Sequence, residues 1–145
     1  MINDDWIHVR SNIKLEDAAE THEGFVYLIE NKTKNKSYIG KKNFKSKTTK
    51  KLTQKELSEL TDKRKSKSKL IIKDSNWRTY NSSNKELLED IKNGDEIEKY
   101  IIHLCKTKAE LTYFETKEQF TWGVIESDKY YNDNILGKFY KNIFK

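Results

Sequence analysis

Apolar residues fall in short, separated runs along this chain, and two of the runs lie close together. GFVYLIE at 24–30 and SYIG at 37–40 are β-branched and aromatic, with Asn, Lys and Thr between them. That is the pattern of two strands around a turn. A loop from Asn31 to Lys36 pairs Glu30 with Ser37, Ile29 with Tyr38, Leu28 with Ile39 and Tyr27 with Gly40. Opposed residues share a face, and side chains alternate along a strand. Tyr27, Ile29, Tyr38 and Gly40 then occupy one face, and Val26, Leu28 and Ile39 the other. The two phenols become diagonal neighbours, roughly 7 Å apart at the backbone. Gly40, opposite Tyr27, is expected to leave room for something to approach closely. A one-residue slip would undo the arrangement.

Further on, the period changes to that of a helix. Ser83-Asn84-Lys85-Glu86 matches a capping box with Ser83 as the N-cap. Leu87, Leu88 and Ile91 form an apolar stripe, and Gly94 marks a stop. EIEKYIIHLC at 96–105 suits a third strand, and KAELTYFETKEQFTWGVI suits a helix of about four turns. Short helices fit KLEDAAE and TQKELSEL. The order strand, strand, helix, strand, helix predicts an α+β domain with a three-stranded, mainly antiparallel sheet flanked by helices. On this reading residues 1–23 are a polar leader and 24–136 the domain. Within it 41–76 form a basic insert, and 137–145 form an aromatic-basic tail.

Composition adds a partner. Hydrophobic residues make up only 34% of the 145 and charged residues 36%, with a net charge of +6; the mean hydropathy is −0.97. Aromatics at 12% can still build a core. Residues 41–73 hold thirteen Lys or Arg against three Asp or Glu, a local +10, so the remainder carries −4. Such a concentration attracts a polyanion, of which nucleic acid is the commonest. Within it KRKSKSK, at 63–69, has no periodicity and is expected to be mobile. Cys105 is a lone cysteine in an apolar run, so a core role and a reducing compartment fit. His8, His22 and His103 lack zinc-site spacing. No apolar run is long enough to span a bilayer, and the start MINDDWIHVR lacks a secretory pattern. A soluble, cytoplasmic protein is expected.

The paired motifs carry a further reading. Phe25-Val26-Tyr27 and Tyr38-Ile39-Gly40, at this spacing, resemble the two signatures of the GIY-YIG nuclease family. KAELTYFETKEQF resembles that family's helix with its metal-binding glutamate, and YYN its late asparagine. The resemblance covers roughly residues 24–134. It is nearest to GIY-YIG endonucleases of T4-like phages, through the lysine-rich 41–73, Trp77-Arg78-Thr79-Tyr80 and Ser82-Ser83.

It implies hydrolysis of a DNA phosphodiester with Mg²⁺ or Mn²⁺, in the host cytoplasm if phage-encoded. A hard cation keeps several waters, so one carboxylate can hold it. Tyr27 is the candidate base, with Tyr38 beside it, although a phenol's ordinary pKa near 10 makes it a poor base unaided. The metal ligand is Glu115, with Glu118 as runner-up. On a helical wheel of about 100° per residue Glu118 falls within the apolar cluster and Glu115 on its rim. The family's arginine, ten residues after the second tyrosine, is replaced by Thr48; Arg78 is the candidate to clamp phosphate. Asn132 matches the late asparagine, with Asn134 as competitor. Gly40, Lys41, Lys42, Lys45, Lys47, Arg64 and Lys65 are expected at nucleic acid. Monomer and homodimer both remain open, and little chain is left for reading a long site, so modest sequence specificity is expected.

Overall fold

The computed structural model describes residues 5–60 and 68–144. Its elements in chain order are β1 (Trp6–His8), α1 (Leu15–Thr21), β2 (Gly24–Asn31), β3 (Lys36–Asn43), β4 (Lys45–Lys51), α2 (Gln54–Ser58) and β5 (Ser68–Asp74). Then follow α3 (Lys85–Lys92), β6 (Ile97–Cys105), α4 (Lys108–Thr121), β7 (Asn134–Ile135), β8 (Phe139–Tyr140) and a closing 3-10 turn, Lys141–Phe144. The result is an α+β fold.

The hairpin forms in the expected register. Tyr27 faces Gly40, Ile29 faces Tyr38 and Glu30 faces Ser37. β6 pairs antiparallel on the other side of β2, which makes β2 a central strand. A fourth strand joins these three. Trp6–His8, inside the stretch read as a polar leader, pairs parallel with β6, so the sheet runs β1-β6-β2-β3. β3 is an edge strand.

A bulge sets the faces of β6. Val26 opposes His103, but Tyr27 opposes Ile101, so one extra residue lies between. The bulge sends Ile101 and His103 to opposite faces, where regular alternation would have kept them together. Ile101 joins the core that Trp6, Phe25, Tyr27, Phe44, Trp77, Leu87 and Ile91 build on one side of the sheet. On the other side Val26, Ile39, Cys105, Leu111, Val124, Ile125 and Ile135 pack together. α1 and α3 feed the first layer and α4 the second.

Several local details differ from the sequence reading. α3 is capped by Asn84, whose side chain accepts from the Leu87 N–H; Ser83 lies outside the helix. Leu87 is buried, but Leu88 is 41% exposed. Gly94 follows the last turn with φ +96°, the left-handed stop that glycine takes without strain. The basic insert is more ordered than its composition suggested. β4 and β5 form a separate two-stranded ribbon, and β5 includes Ser68 and Lys69, which were expected to be mobile. α2 has the capping box of Thr53 and Glu56. Arg64, Lys65 and the rest of 61–67 lie outside the described residues.

Candidate active site

An edge strand leaves every second pair of backbone groups unpaired, and burying them without partners is costly. The outer edge of β3 is closed by 129–132 and by α4. The Ser37 N–H donates to the Lys129 carbonyl at 2.9 Å, and the Tyr131 N–H donates to the Ser37 carbonyl at 2.8 Å. At Ile39, Asn132 takes both groups: Oδ1 accepts from the N–H at 3.1 Å and Nδ2 donates to the carbonyl at 2.8 Å. Gln119 Nε2 donates to the same carbonyl at 3.0 Å. One register step on, the backbone N–H of Lys41 serves the Glu115 carboxylate. Asn132, Gln119 and Glu115 therefore line up along one strand edge.

The 129–132 segment is itself tied down. The Tyr131 hydroxyl donates to Asp90 on α3 at 2.6 Å and accepts from Asn31 Nδ2 at 2.9 Å. Asn84 Nδ2, from the cap of α3, donates to the Tyr131 carbonyl at 3.1 Å. Just before it Ser82 turns the chain with φ +84° and accepts from the Asn84 N–H. These bonds bring the start of α3 against the edge of β3. Between them lies a cleft of about 650 Å³, lined by Tyr38, Ser83, Glu115 and Asn132, with Glu86 and Asp133 among its walls.

Tyr38 and Tyr27 occupy different places. Tyr38 is half-buried and lines the cleft. Tyr27 is 1% exposed and does not. Its ring is surrounded by Trp6, Tyr38 and Tyr80, with centroids at 5.4, 6.1 and 6.0 Å. Burial pushes the Tyr27 phenol well above its ordinary pKa; the neighbouring Tyr38 and a hydrogen bond with Tyr80 add to this. Burial also raises Tyr38, partly opposed by a hydrogen bond from Ser83. Glu115 is raised too, by burial, with Lys41 pulling the other way. A carboxyl with a raised pKa on a cleft wall is the kind of group that gathers at functional sites.

The room beside Gly40 is already taken. A Cβ there would lie 2.6 Å from the Tyr27 hydroxyl oxygen and 2.9 Å from Tyr38 Cε1. The glycine lets the two rings cross the strand; it is buried and offers no surface to nucleic acid.

Glu118, the runner-up, is engaged elsewhere. Its Oε1 bonds His103 Nε2 at 2.8 Å, its Oε2 accepts from Trp122 Nε1 at 2.9 Å, and Arg10 lies at 3.8 Å. Burial alone would raise its pKa, but His103 and Trp122 outweigh burial and lower it. It is absent from the cleft. Arg78 is absent as well: its guanidinium stacks on Trp77 at 4.4 Å, in a hollow shared with Trp6, Leu15 and Glu16. Lys42 is absent from the cleft too, and the lysine among the lining residues is Lys85. Lys42 lies nearer the buried side of the ring cluster. It shares the face of Tyr38 and Gly40, and its ammonium sits 4.0 Å over the Tyr80 ring. Burial lowers its pKa.

The remaining sequence candidates spread outward. Lys41 Nζ donates to Thr112 of α4 at 3.0 Å. Lys45 pairs with Asp74 and Glu20, and Lys47 with Glu23 at 3.6 Å. Thr48 is on β4, not on a helix. Asn134 lines the cleft wall but makes no bond to β3. Cys105 is buried and its thiol is pushed up to about 11 by burial, as a core residue requires. The sequence reading gave Tyr80, Ser83 and Gln119 no place at the site. Gln119 had a signal, lying one helical turn after Glu115.

A four-stranded α+β sheet with paired phenols on one face, and a helix-borne carboxyl reaching over its edge strand, defines a GIY-YIG nuclease domain. The chain belongs to that family: the model described as "Putative endonuclease segE, GIY-YIG domain" matches residues 6–135. No curated protein and no solved structure matches the chain. The match begins at Trp6, and Trp6 is where β1 begins.

Proposed function

We propose that this protein is a divalent-metal-dependent DNA endonuclease of phage or mobile-element type, acting in the cytoplasm and hydrolysing phosphodiester bonds in the cleft beside β3. The observation that carries this reading is Glu115, a carboxyl with a raised pKa on the wall that Tyr38 also lines. Among the described residues no three His, Cys, Asp or Glu converge as a metal cage. The donor set instead suits a hard ion held by Glu115 and retained waters, as Mg²⁺ or Mn²⁺ prefers. Bound there, such an ion supplies charge neutralisation for a phosphate oxygen and a departing oxyanion.

The chain's own residues divide the other tasks. Tyr38 holds its proton at neutral pH, so its hydroxyl donates to water or phosphate until positive charge enters the cleft and lowers its pKa. Tyr27, sealed beneath it, positions the Tyr38 ring. Asn132 and Gln119 hold the strand edge at fixed distance from Glu115. Lys42 takes the place proposed from sequence for Arg78, as a cation on the phenol face. Site selection rests on few base contacts, so specificity is modest.

Supercoiled plasmid tests the reading. Nicking should require Mg²⁺ or Mn²⁺, stop in EDTA and be lost in Glu115→Ala. Cutting by Glu115→Ala at the wild-type rate would refute it. A second reading, a nucleic-acid-binding domain without catalysis, is favoured by one observation: no arginine among the described residues lines the cleft. Salt-sensitive DNA binding without nicking under any divalent ion would establish it.

A further inference from the structure

We propose that the β4–β5 ribbon is a docking arm for duplex DNA. It enters the major groove with Leu70 and Ile72 toward the base edges and Lys47 and Lys51 on the flanking phosphates. The proposal rests on the nuclease reading only in taking DNA as the polyanion.

The ribbon is a separate sheet, paired without interruption from Lys45 opposite Asp74 to Lys51 opposite Ser68. Its base is fixed: the Ser75 N–H donates to the Phe44 carbonyl and the Ser75 hydroxyl to the Asn43 carbonyl. Alternation places Lys45, Lys47, Thr49 and Lys51 on one face, with Asp74, Ile72, Leu70 and Ser68 opposite them. Leu70 is 60% exposed and Ile72 56%. Two adjacent aliphatics on an outlying ribbon gain nothing from water and mark a contact surface. The lysines around them choose the partner, because clustered positive charge disfavours a second basic copy of this chain and favours a polyanion. The other face is less available, since Lys69 there is held by Glu56 of α2 at 2.9 Å. Lys51 makes no ion pair among the described residues. Among the described residues the half-exposed Lys47 makes one ion pair, a long one at 3.6 Å to the partly buried Glu23, and a phosphate can take its place.

The dimensions agree. The major groove of B-DNA, about 12 Å wide, admits a two-stranded ribbon, and apolar side chains there meet thymine methyls. Same-face neighbours such as Leu70 and Ile72 stand roughly 7 Å apart, close to two base-pair steps of about 3.4 Å each. β4 follows β3 after the single residue Phe44, where the chain bends, so a duplex held by the ribbon lies close to the strand that carries Tyr38 and Lys42. The deep, narrow major groove of A-form RNA excludes such an arm.

The test uses the full chain carrying Glu115→Gln, in EDTA, with a fluorescent DNA duplex and anisotropy over a salt series. Leu70→Ser/Ile72→Ser should weaken binding about tenfold without changing the salt slope, since apolar contacts release no counterions. Lys47→Gln/Lys51→Gln should reduce the slope by about 1.8, at roughly 0.9 per phosphate. Thr48→Ala, on the other face, should change neither, and RNA duplex of the same sequence should compete poorly. Unchanged affinity in the aliphatic variant, equal competition by RNA, or no duplex binding at all would overturn the proposal. Nicking by chains with Glu115 intact separates the two readings. Ribbon variants that bind and cut like wild type sink the ribbon alone. Binding that depends on the ribbon but never leads to cutting sinks the nuclease alone.

Discussion

Gly40→Ala tests how the hairpin builds the site. The new methyl would meet the Tyr27 hydroxyl oxygen at 2.6 Å, Tyr27 Cζ at 2.8 Å and Tyr38 Cε1 at 2.9 Å. All three are too close for a real Cβ, so a ring must move. Tyr27 cannot yield easily, boxed in by Trp6, Phe25 and Tyr80. Tyr38 faces the cleft and can. Overpacking of this kind costs about 1–3 kcal/mol, which is roughly 3–12 °C in melting temperature for a domain of this size. Tyr38 displaced by a large part of an ångström should lower nicking by about 10- to 100-fold. Tyr27→Phe removes the nearest atom but leaves Cζ, so it should relieve part of the clash. A double-mutant cycle should therefore show coupling of roughly 0.5–1.5 kcal/mol. Thermal melts followed by circular dichroism, alongside plasmid nicking, measure both effects. If Gly40→Ala melts within about a degree of wild type, or the two substitutions are strictly additive, the close packing of ring on glycine is wrong.

Three further outcomes follow from the site. Glu115 has a folded pKa above its unfolded one, so it contributes stability below the ordinary carboxyl pKa and loses it as pH rises through the folded value. Glu115→Gln should thus melt higher than wild type at neutral pH while failing to cut, and Mg²⁺ should raise the melting temperature of wild type only; a lower-melting variant contradicts this. Asn132→Ala strands the Ile39 N–H, although Gln119 still serves the carbonyl, so it should cost about 1–3 kcal/mol and speed amide exchange at Ile39. Unchanged exchange there would show that another group caps the edge. Lys42→Met should depress nicking far more than Arg78→Ala, because Lys42 sits over Tyr80, which packs on Tyr27, whereas Arg78 stacks on Trp77; the reverse order would return the phosphate clamp to Arg78.

What the sequence by itself determined was local. The β2–β3 register, the α4 helix, the stop at Gly94 and the shared face of Tyr27, Tyr38 and Gly40 all follow from loop length and side-chain period, which act within a few residues. The different positions of Glu115 and Glu118 on the helix, one at the rim of the apolar stripe and one inside it, follow from the same period. Tertiary structure decided the rest. Three residues from the leader, Trp6–His8, gain strand form only because β6 offers them an edge. The bulge after Ile101 turns His103 toward α4, where it claims Glu118. Asn84 outcompetes Ser83 as the cap because Tyr131, distant in sequence, takes its amide. Tyr27 is sealed by Trp6 and Tyr80, so the phenol that lines the cleft is Tyr38. Arg78 stacks on its neighbour Trp77, whereas Lys42 comes to lie over Tyr80. Each of these choices depends on which surfaces meet across the sheet, and such meetings are set by the packing of the whole chain, beyond the reach of any local pattern.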